Sequence, residues 1–326
     1  MKNSPLIILL GEPNSIFSEI LFKTYKSNSI KKIKKPIVVI GSIKLLRSQM
    51  KLLKYFIEIK KIELSDVKNI KFNRKKIYII NVDYKFKKAF DKISDRSSSY
   101  INNCFDIALK LINNKYAKVL INGPISKTHF LKKKYFGITE YLSEKTKSKK
   151  KPTMLIYNPS FSVCPVTTHL PINQVSKALT KEKIINDVIN INKFYKLRLK
   201  KKSKFAVLGL NPHCESTQRV SEEKKIIIPA IKKLKKMGIN VYGPISADTF
   251  FSKKNLNYYD VAVGMYHDQV LTPMKTIFNF NAINLTLGLP FLRASPDHGP
   301  NNIMLGKNIS NPESLIFSIN FFNKIK

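Results

Sequence analysis

The sequence predicts an α/β fold built on a largely parallel sheet, and three observations carry that expectation. Short apolar runs of three to six residues recur along the chain, each the length of a buried strand. Longer stretches with apolar residues at helical spacing lie between them. Neither an internal repeat nor an apolar run near the ~20 residues of a bilayer span breaks the alternation. Strands that alternate with amphipathic helices form βαβ units, whose strands run parallel.

Taken in order, Leu6–Leu10 reads as the first strand. Met1–Gly11 holds one lysine, and a polar, acidic stretch follows with no small-residue cleavage site. The start therefore reads as a buried strand and not as a signal peptide, and cytoplasm is the expected compartment. Ile16–Lys26 reads as a helix, and Ile37–Ile40 and Ile77–Val82 as strands. Ser99–Asn113 has helical spacing, and Val119–Ile121 is strand-like. The lysine-rich stretch Lys145–Pro152 is a candidate hinge or exposed loop. Met154–Tyr157 and Ser162–Val166 read as strands, Lys181–Leu197 as a helix and Phe205–Leu210 as a strand. Ser221 can cap a helix whose first turn holds Glu222 and Glu223, where negative charge suits the helix dipole. Val261–Met265 and Ile283–Leu287 are further strands, and a helix near Pro312–Phe322 closes the chain.

Composition narrows the function. A chain of 326 residues, 43% hydrophobic, has room for about two domains and a sizeable core. Its three cysteines, Cys104, Cys164 and Cys214, show no C-x-x-C spacing and are odd in number, which argues against a disulfide framework or a structural zinc site. The formal charge is +38. The 59 basic residues are scattered, with small clusters at Lys31–Lys35, Lys132–Lys134, Lys147–Lys151 and Lys200–Lys204 near turn signals. They lack the interleaved glycine and aromatic residues of an RNA-binding strand, so solvated surface is the expected role and nucleic acid is not the expected partner. The positive field still suits a phosphorylated substrate and a dinucleotide.

Ligands of open α/β sheets collect beyond the carboxyl ends of the strands. Three of the five histidines follow strand-like runs: His169 in Val-Thr-Thr-His-Leu-Pro, His213 in Leu-Gly-Leu-Asn-Pro-His, and His267 in Val-Gly-Met-Tyr-His-Asp-Gln. Any one of them alone reads better as a satisfied structural histidine. The repeated placement favours three imidazoles around one divalent cation with open positions. Asp268 could support such a ligand or handle a proton, or be a turn carboxylate; Asp248 has the same ambiguity and suits a helix cap. Lys275, Asn284 and Arg293 follow His267 at offsets of 8, 17 and 26. Lysine offers a point charge to phosphate and arginine a bidentate fork. Arg293 directly follows an apolar run, which suggests a geometric need, with a buried ion pair as the competing reading. Gly123-Pro-Ile-Ser-Lys127 can expose backbone donors or mark an ordinary turn. Gly11-Glu-Pro is neither a G-x-G-x-x-G nor a Walker loop.

The segments Thr167-Thr-His-Leu-Pro171, Gly209-Leu-Asn-Pro-His213, Gly243-Pro-Ile-Ser-Ala-Asp-Thr-Phe250, Met265-Tyr-His-Asp-Gln269, Asn284-Leu-Thr-Leu-Gly-Leu-Pro-Phe-Leu-Arg293 and Ser295-Pro-Asp-His-Gly299 resemble the 4-hydroxythreonine-4-phosphate dehydrogenase family, from Leu6 to about Gly306. The resemblance implies a two-domain α/β/α fold like that of isocitrate and isopropylmalate dehydrogenases. It implies a homodimer whose active site lies in the interdomain cleft at the dimer interface. The expected domains are residues 1–125 with 265–326, and 126–264. The family's metal ligands match His169, His213 and His267, contributed across the interface, and its substrate contacts match Thr139, Lys275, Asn284 and Arg293. Asp268, Asp248 and Lys275 are the catalytic candidates; no cofactor contacts are assigned. The implied reaction oxidises 4-phosphooxy-L-threonine with NAD or NADP and one divalent metal, zinc, magnesium or cobalt. The 2-amino-3-oxo-4-phosphooxybutanoate formed loses carbon dioxide to give 3-amino-2-oxopropyl phosphate, on the route to pyridoxal 5'-phosphate.

The chain departs from the family pattern at four places. Its first loop is Gly11-Glu-Pro-Asn-Ser-Ile-Phe-Ser-Glu19 where the family has Gly-Asp-Pro-Ala-Gly-Ile-Gly-Pro-Glu. Ile138 stands where a substrate-contacting histidine is usual. Cys214–Val220 replaces a glycine-rich loop, and Pro300–Gly306 departs from the cofactor-loop pattern. Ile138 keeps open a relative acting on threonate or erythronate 4-phosphate. An acyltransferase of phosphate esters on a related fold would not need three histidines. A non-catalytic basic nucleic-acid-binding protein is the alternative of another class, and would show steep salt dependence.

Overall fold

The computed structural model describes residues 4–132, 134–135, 137–148, 151–215, 221–279, 281–296 and 299–325. The chain divides into two compact units, Met1–Lys147 with Leu289–Lys326, and Ser148–Gly288. The first unit begins with β1 (Leu6–Leu9), α1 (Phe17–Lys26), β2 (Ile37–Gly41), α2 (Ile43–Leu52), β3 (Glu58–Lys61), β4 (Lys76–Asn81), α3 (Ser98–Asn113), β5 (Val119–Asn122) and α4 (Ile138–Lys145). The second holds β6 (Thr153–Tyr157), β7 (Ser162–Pro165), α5 (Val175–Ala178), α6 (Lys181–Phe194), β8 (Phe205–Leu208) and α7 (Ile228–Lys236). It continues with β9 (Val241–Ile245), α8 (Ala247–Phe250), α9 (Lys253–Tyr258), β10 (Val261–Gly264), α10 (His267–Phe278) and β11 (Ile283–Leu287). The chain then returns to the first unit for β12 (Leu292–Ser295) and α11 (Glu313–Lys324).

The strands of the first unit lie in the order β3-β4-β2-β1-β5-β12, all parallel. Every residue of β1 and every residue from Ile37 to Ile40 is fully buried, so both faces of this sheet are covered. That is why these strands are unbroken apolar runs and not alternating ones. Ile7, Leu9, Val38, Ile40 and Leu120 share one face and pack with Ile101, Cys104, Phe105 and Ala108 of α3. Elsewhere in the unit, α1 packs against α2 and α11.

The strands of the second unit lie in the order β11-β6-β7-β10-β8-β9. Here β6 runs antiparallel to β7 and β11, and the other pairs are parallel. Ile156, Val163, Ala206, Leu208 and Ala262 form a core face with Phe250 of α8 and with Val270, Leu271 and Met274 of α10.

Both unit junctions fall later than the sequence suggested, at 147/148 and 288/289 in place of 125/126 and 264/265. The reason is packing. Tyr141 and Leu142 of α4 belong to the first core, and the apolar face of α10 belongs to the second. The first junction lies within Lys145–Pro152, of which Lys149 and Lys150 are outside the described residues. Ser221 caps as expected, its Oγ accepting the Lys224 N–H. The strand expected over Phe205–Leu210 ends at Leu208. β3, β9 and β12 were not anticipated: β3 is nearly all charged, β9 contains Gly243-Pro244 and β12 contains Arg293. Nor was α10, which opens on polar residues and carries Pro273 inside it.

A buried carboxylate marks the second unit. Asp187 on α6 is 3% exposed, and its Oδ1 accepts the Thr153 hydroxyl at 2.6 Å. Burial pushes its carboxyl up to about 6, with Lys183 and the Thr153 hydrogen bond opposing. Folding therefore favours the neutral acid. The stabilisation is complete below the ordinary carboxyl range and is lost as pH rises through about 6. Asp187→Asn is expected to be more stable than the parent by up to about 3 kcal/mol at pH 8, with most of that gain gone near pH 4. Urea denaturation at the two pH values checks this, and an equal difference at both would refute it.

Candidate active site

Strands β7, β10 and β8 are neighbours and parallel, so their carboxyl ends share one edge. His169, His267 and His213 follow those three ends in turn. Two side chains fasten the edge. The Thr167 hydroxyl donates to the Met265 carbonyl at 2.7 Å, tying the loop after β7 to the end of β10. Gln269 spans the next gap: its Oε1 accepts the Met265 N–H at 2.7 Å and its Nε2 donates to the Gly209 carbonyl at 2.7 Å. Gly264 makes room for this, since a Cβ there would lie 2.4 Å from Val270 Cγ1 and 3.0 Å from Gln269 Oε1. Glu223 steadies the His213 loop by accepting the N–H groups of Leu210 and Asn211 at 2.8 and 2.9 Å. Burial pushes the Glu223 carboxyl up, but the bonds from Asn211 and Leu210 outweigh it and hold the group below its ordinary range.

The rings of His169 and His267 lie 6.1 Å apart between centroids, tilted by 36°. His267 is the first residue of α10, and its Nδ1 sits 2.6 Å from Asp268 Oδ1. A carboxylate on Nδ1 leaves Nε2 as the nitrogen for another partner. His213 lies in a single 3-10 turn, Pro212–Cys214, at φ +55° and ψ +17°, and Cys214 follows at φ +60°. Such left-handed residues cost about 1 kcal/mol or more each, a strain that tends to gather at functional sites. His213 Nδ1 is 3.5 Å from Asp248 Oδ2. Asp248 is itself held by the Ser246 hydroxyl and the Thr249 N–H, the first of which is the main cause of its lowered carboxyl. The fold thus pairs His169 with His267, His267 with Asp268, and His213 with Asp248. Among the described residues, no three His, Cys, Asp or Glu side chains gather closely enough to hold one cation.

The anion candidates divide between the units. In the first, Arg293 on β12 is 2% exposed. Its Nε donates to Asn122 Oδ1 at 2.7 Å and its Nη1 to Thr139 Oγ1 at 3.4 Å. Burial drives the guanidinium down to about 9, with the Glu140 charge opposing. Ile138, which precedes Thr139, packs against the first core. In the second, Lys275 is exposed in the last turn of α10. Asn284 lies on β11, and its Oδ1 is buried with no hydrogen-bond partner among the described residues. An acceptor left so costs about 1–3 kcal/mol until a donor meets it.

The first loop holds contacts that the sequence did not reveal. Glu12 is 2% exposed and accepts the Ser97 hydroxyl at 2.8 Å. Asn14 Nδ2 donates to the Lys92 carbonyl at 3.2 Å. Beside this loop is a cavity of about 230 Å³ whose lining includes Asn14, Tyr84, Lys85, Phe86, Lys92 and Arg96. No local pattern could announce it, because it joins segments 78 residues apart. His129, also unremarked in the sequence, bonds Asp95 at 2.7 Å. Residues 216–220 of the Cys214–Val220 loop, and Asp297 and His298 of the last motif, lie outside the described residues. No described helix is long and apolar enough to cross a membrane.

Comparison with known proteins agrees over the whole chain. A 4-hydroxythreonine-4-phosphate dehydrogenase of Sulfurihydrogenibium sp. is 38% identical over 322 residues, 96% of each chain. A provisionally named D-threonate 4-phosphate dehydrogenase of Oceanobacillus iheyensis is 30% identical over 97% of this chain and 96% of its own. The crystal structure of the 4-hydroxythreonine-4-phosphate dehydrogenase of Klebsiella pneumoniae superposes with a TM-score of 0.85 at 26% identity, covering 98% of both chains. Residues 32–322 match the family described as pyridoxal phosphate biosynthetic protein PdxA, and the chain belongs to that family.

Proposed function

We propose that this enzyme oxidises 4-phosphooxy-L-threonine with NAD or NADP and a divalent metal, acting as a homodimer. The full-length relationship at 38% identity carries the reading, and the side chains at the strand ends support it. The donor set fits a divalent cation: imidazoles from His169, His213 and His267, with Asp268 on Nδ1 of His267 and Asp248 beside Nδ1 of His213. Ligands from a second copy would complete the coordination that the described residues of one copy do not. A bound cation supplies charge stabilisation where the C3 hydroxyl loses its proton, and the nicotinamide takes up the hydride.

The chain's own residues bind and orient. Arg293 and Lys275 provide positive charge for the substrate phosphate, and Thr139 steadies the guanidinium. Phosphate beside Arg293 would compensate a cation whose burial depresses its basicity. Asn284 Oδ1 offers a buried acceptor to a substrate N–H or O–H. Asp268 or Asp248 receives the hydroxyl proton. The cations around the cavity beside the first loop suit a phosphate-bearing part of the dinucleotide. After oxidation, the 2-amino-3-oxo acid loses carbon dioxide.

A second reading is oxidation of threonate or erythronate 4-phosphate. It draws on Ile138, whose apolar side chain gives the substrate amine region no hydrogen-bonding group, and on the Oceanobacillus relative. A spectrophotometric assay offering 4-phosphooxy-L-threonine, threonate 4-phosphate and erythronate 4-phosphate, each with NAD and NADP, decides between them. The expected outcome is nicotinamide reduction with the first substrate, abolished by chelator and restored by metal. Absence of reduction with every pair would remove the dehydrogenase reading. Asp268→Asn should weaken metal affinity 10- to 100-fold by equilibrium dialysis, and unchanged affinity and turnover would exclude Asp268. Arg293→Lys should raise KM about tenfold or more, since the fork is lost while the charge remains.

A further inference from the structure

We propose that the first unit carries a second small-molecule site, for an aromatic phosphate monoester of the nucleotide type, at the amino-terminal edge of its sheet. A groove of about 780 Å³ lies at the end of α1 and at the lead-ins to β3 and β4, lined in part by Tyr25, Lys31, Phe56, Phe72, Arg74 and Lys75. The sheet is parallel, and Asn122, which holds Arg293, ends β5 at the carboxyl edge. The groove therefore belongs to the opposite edge from the Arg293 contacts, and its occupancy does not rest on the dehydrogenase reading.

Four observations define the ligand. The volume is that of a small-molecule site. Phe56 is 85% exposed beside Phe72, so a flat aromatic ring can stack there and be removed from water with it. Lys31, Arg74 and Lys75 make no ion pair among the described residues, while the one acid of the lining, Glu58, is engaged by Lys76 at 2.6 Å. The Nε of Arg74 donates to the Ile33 carbonyl at 2.6 Å, which fixes the guanidinium while its terminal nitrogens remain to bind an anion. Finally, Tyr25 is 7% exposed and its hydroxyl has no hydrogen-bond partner among the described residues. Buried donors left in this state are rare, and this one, closed to solvent, meets a ligand oxygen only when the groove wall moves on binding. Ring, cations and orphan donor together call for an aromatic body with a phosphate attached.

Isothermal titration calorimetry on the full chain tests the site, with adenosine 5'-monophosphate as the probe and with adenosine and inorganic phosphate in separate arms. The nucleotide should bind at least about tenfold more tightly than either part. Phe56→Ala and Lys31→Glu, both at exposed positions, should each weaken it about fivefold or more with the melting temperature unchanged. Tyr25→Phe should weaken it in the same direction. Binding no tighter than phosphate alone would overturn the proposal. So would undiminished binding in both Phe56→Ala and Lys31→Glu, because the adenylate would then occupy another site, such as one for the dinucleotide.

Discussion

Two side chains, Thr167 and Gln269, reinforce the backbone bonds that hold the ends of β7, β10 and β8 relative to one another. Past the last ladder bond, a strand end offers N–H and C=O groups with no regular partner. Here Met265 gives its N–H to Gln269, its carbonyl accepts both the hydroxyl and the backbone N–H of Thr167, and the Gly209 carbonyl accepts from Gln269. Each bond adds only about 1 kcal/mol of net stability. Their larger effect is positional. Side chains at a binding or catalytic site tolerate errors of about half an ångström, and loops alone rarely hold them so closely. The glycine at position 264 belongs to the same device, because a Cβ there would clash with Val270 and press on Gln269.

The charge on this protein is of two kinds. Most of its 59 basic residues contribute a diffuse positive field, screened within about 10 Å by ordinary salt. Arg293 is of the other kind: buried and bonded to the neutral side chains of Asn122 and Thr139. A cation so placed is screened little, so its effect on a neighbouring anion persists at salt concentrations that silence the surface. Net charge therefore describes the surface, whereas the buried guanidinium is governed by its own neighbours.

The strands most legible in the sequence were those buried on both faces, because an unbroken apolar run such as Ile37–Ile40 admits few other readings. The strands that escaped were β3, β9 and β12, where charge, a Gly-Pro pair or an arginine interrupts the pattern. The placement of His169, His213 and His267 after strand ends was visible from local sequence, as was Arg293 after an apolar run. Asp268, adjacent to His267, and Asp248 were also visible as candidates, but the distant contacts that fasten these segments were not, because they depend on register and on contacts across the sheet. Gln269 reaches Gly209, 60 residues away in sequence, and Arg293 reaches Asn122, 171 residues away. The unit junctions were misplaced for a related reason: α4 and α10 join the cores that their apolar faces fit, and the motif order along the chain does not reveal that fit.

One outer strand of each unit raises a further issue. β3 borders one and β9 the other, and each presents backbone groups to which a stray chain could add. β3 defends itself with Glu58, Lys60 and Lys61, all exposed, so that an incoming strand must desolvate a row of charges. β9 carries Pro244, which has no amide hydrogen to offer a further strand. The lysine abundance that gives this chain its unusual isoelectric point thus has a colloidal benefit at one border, and a single imino acid guards the other.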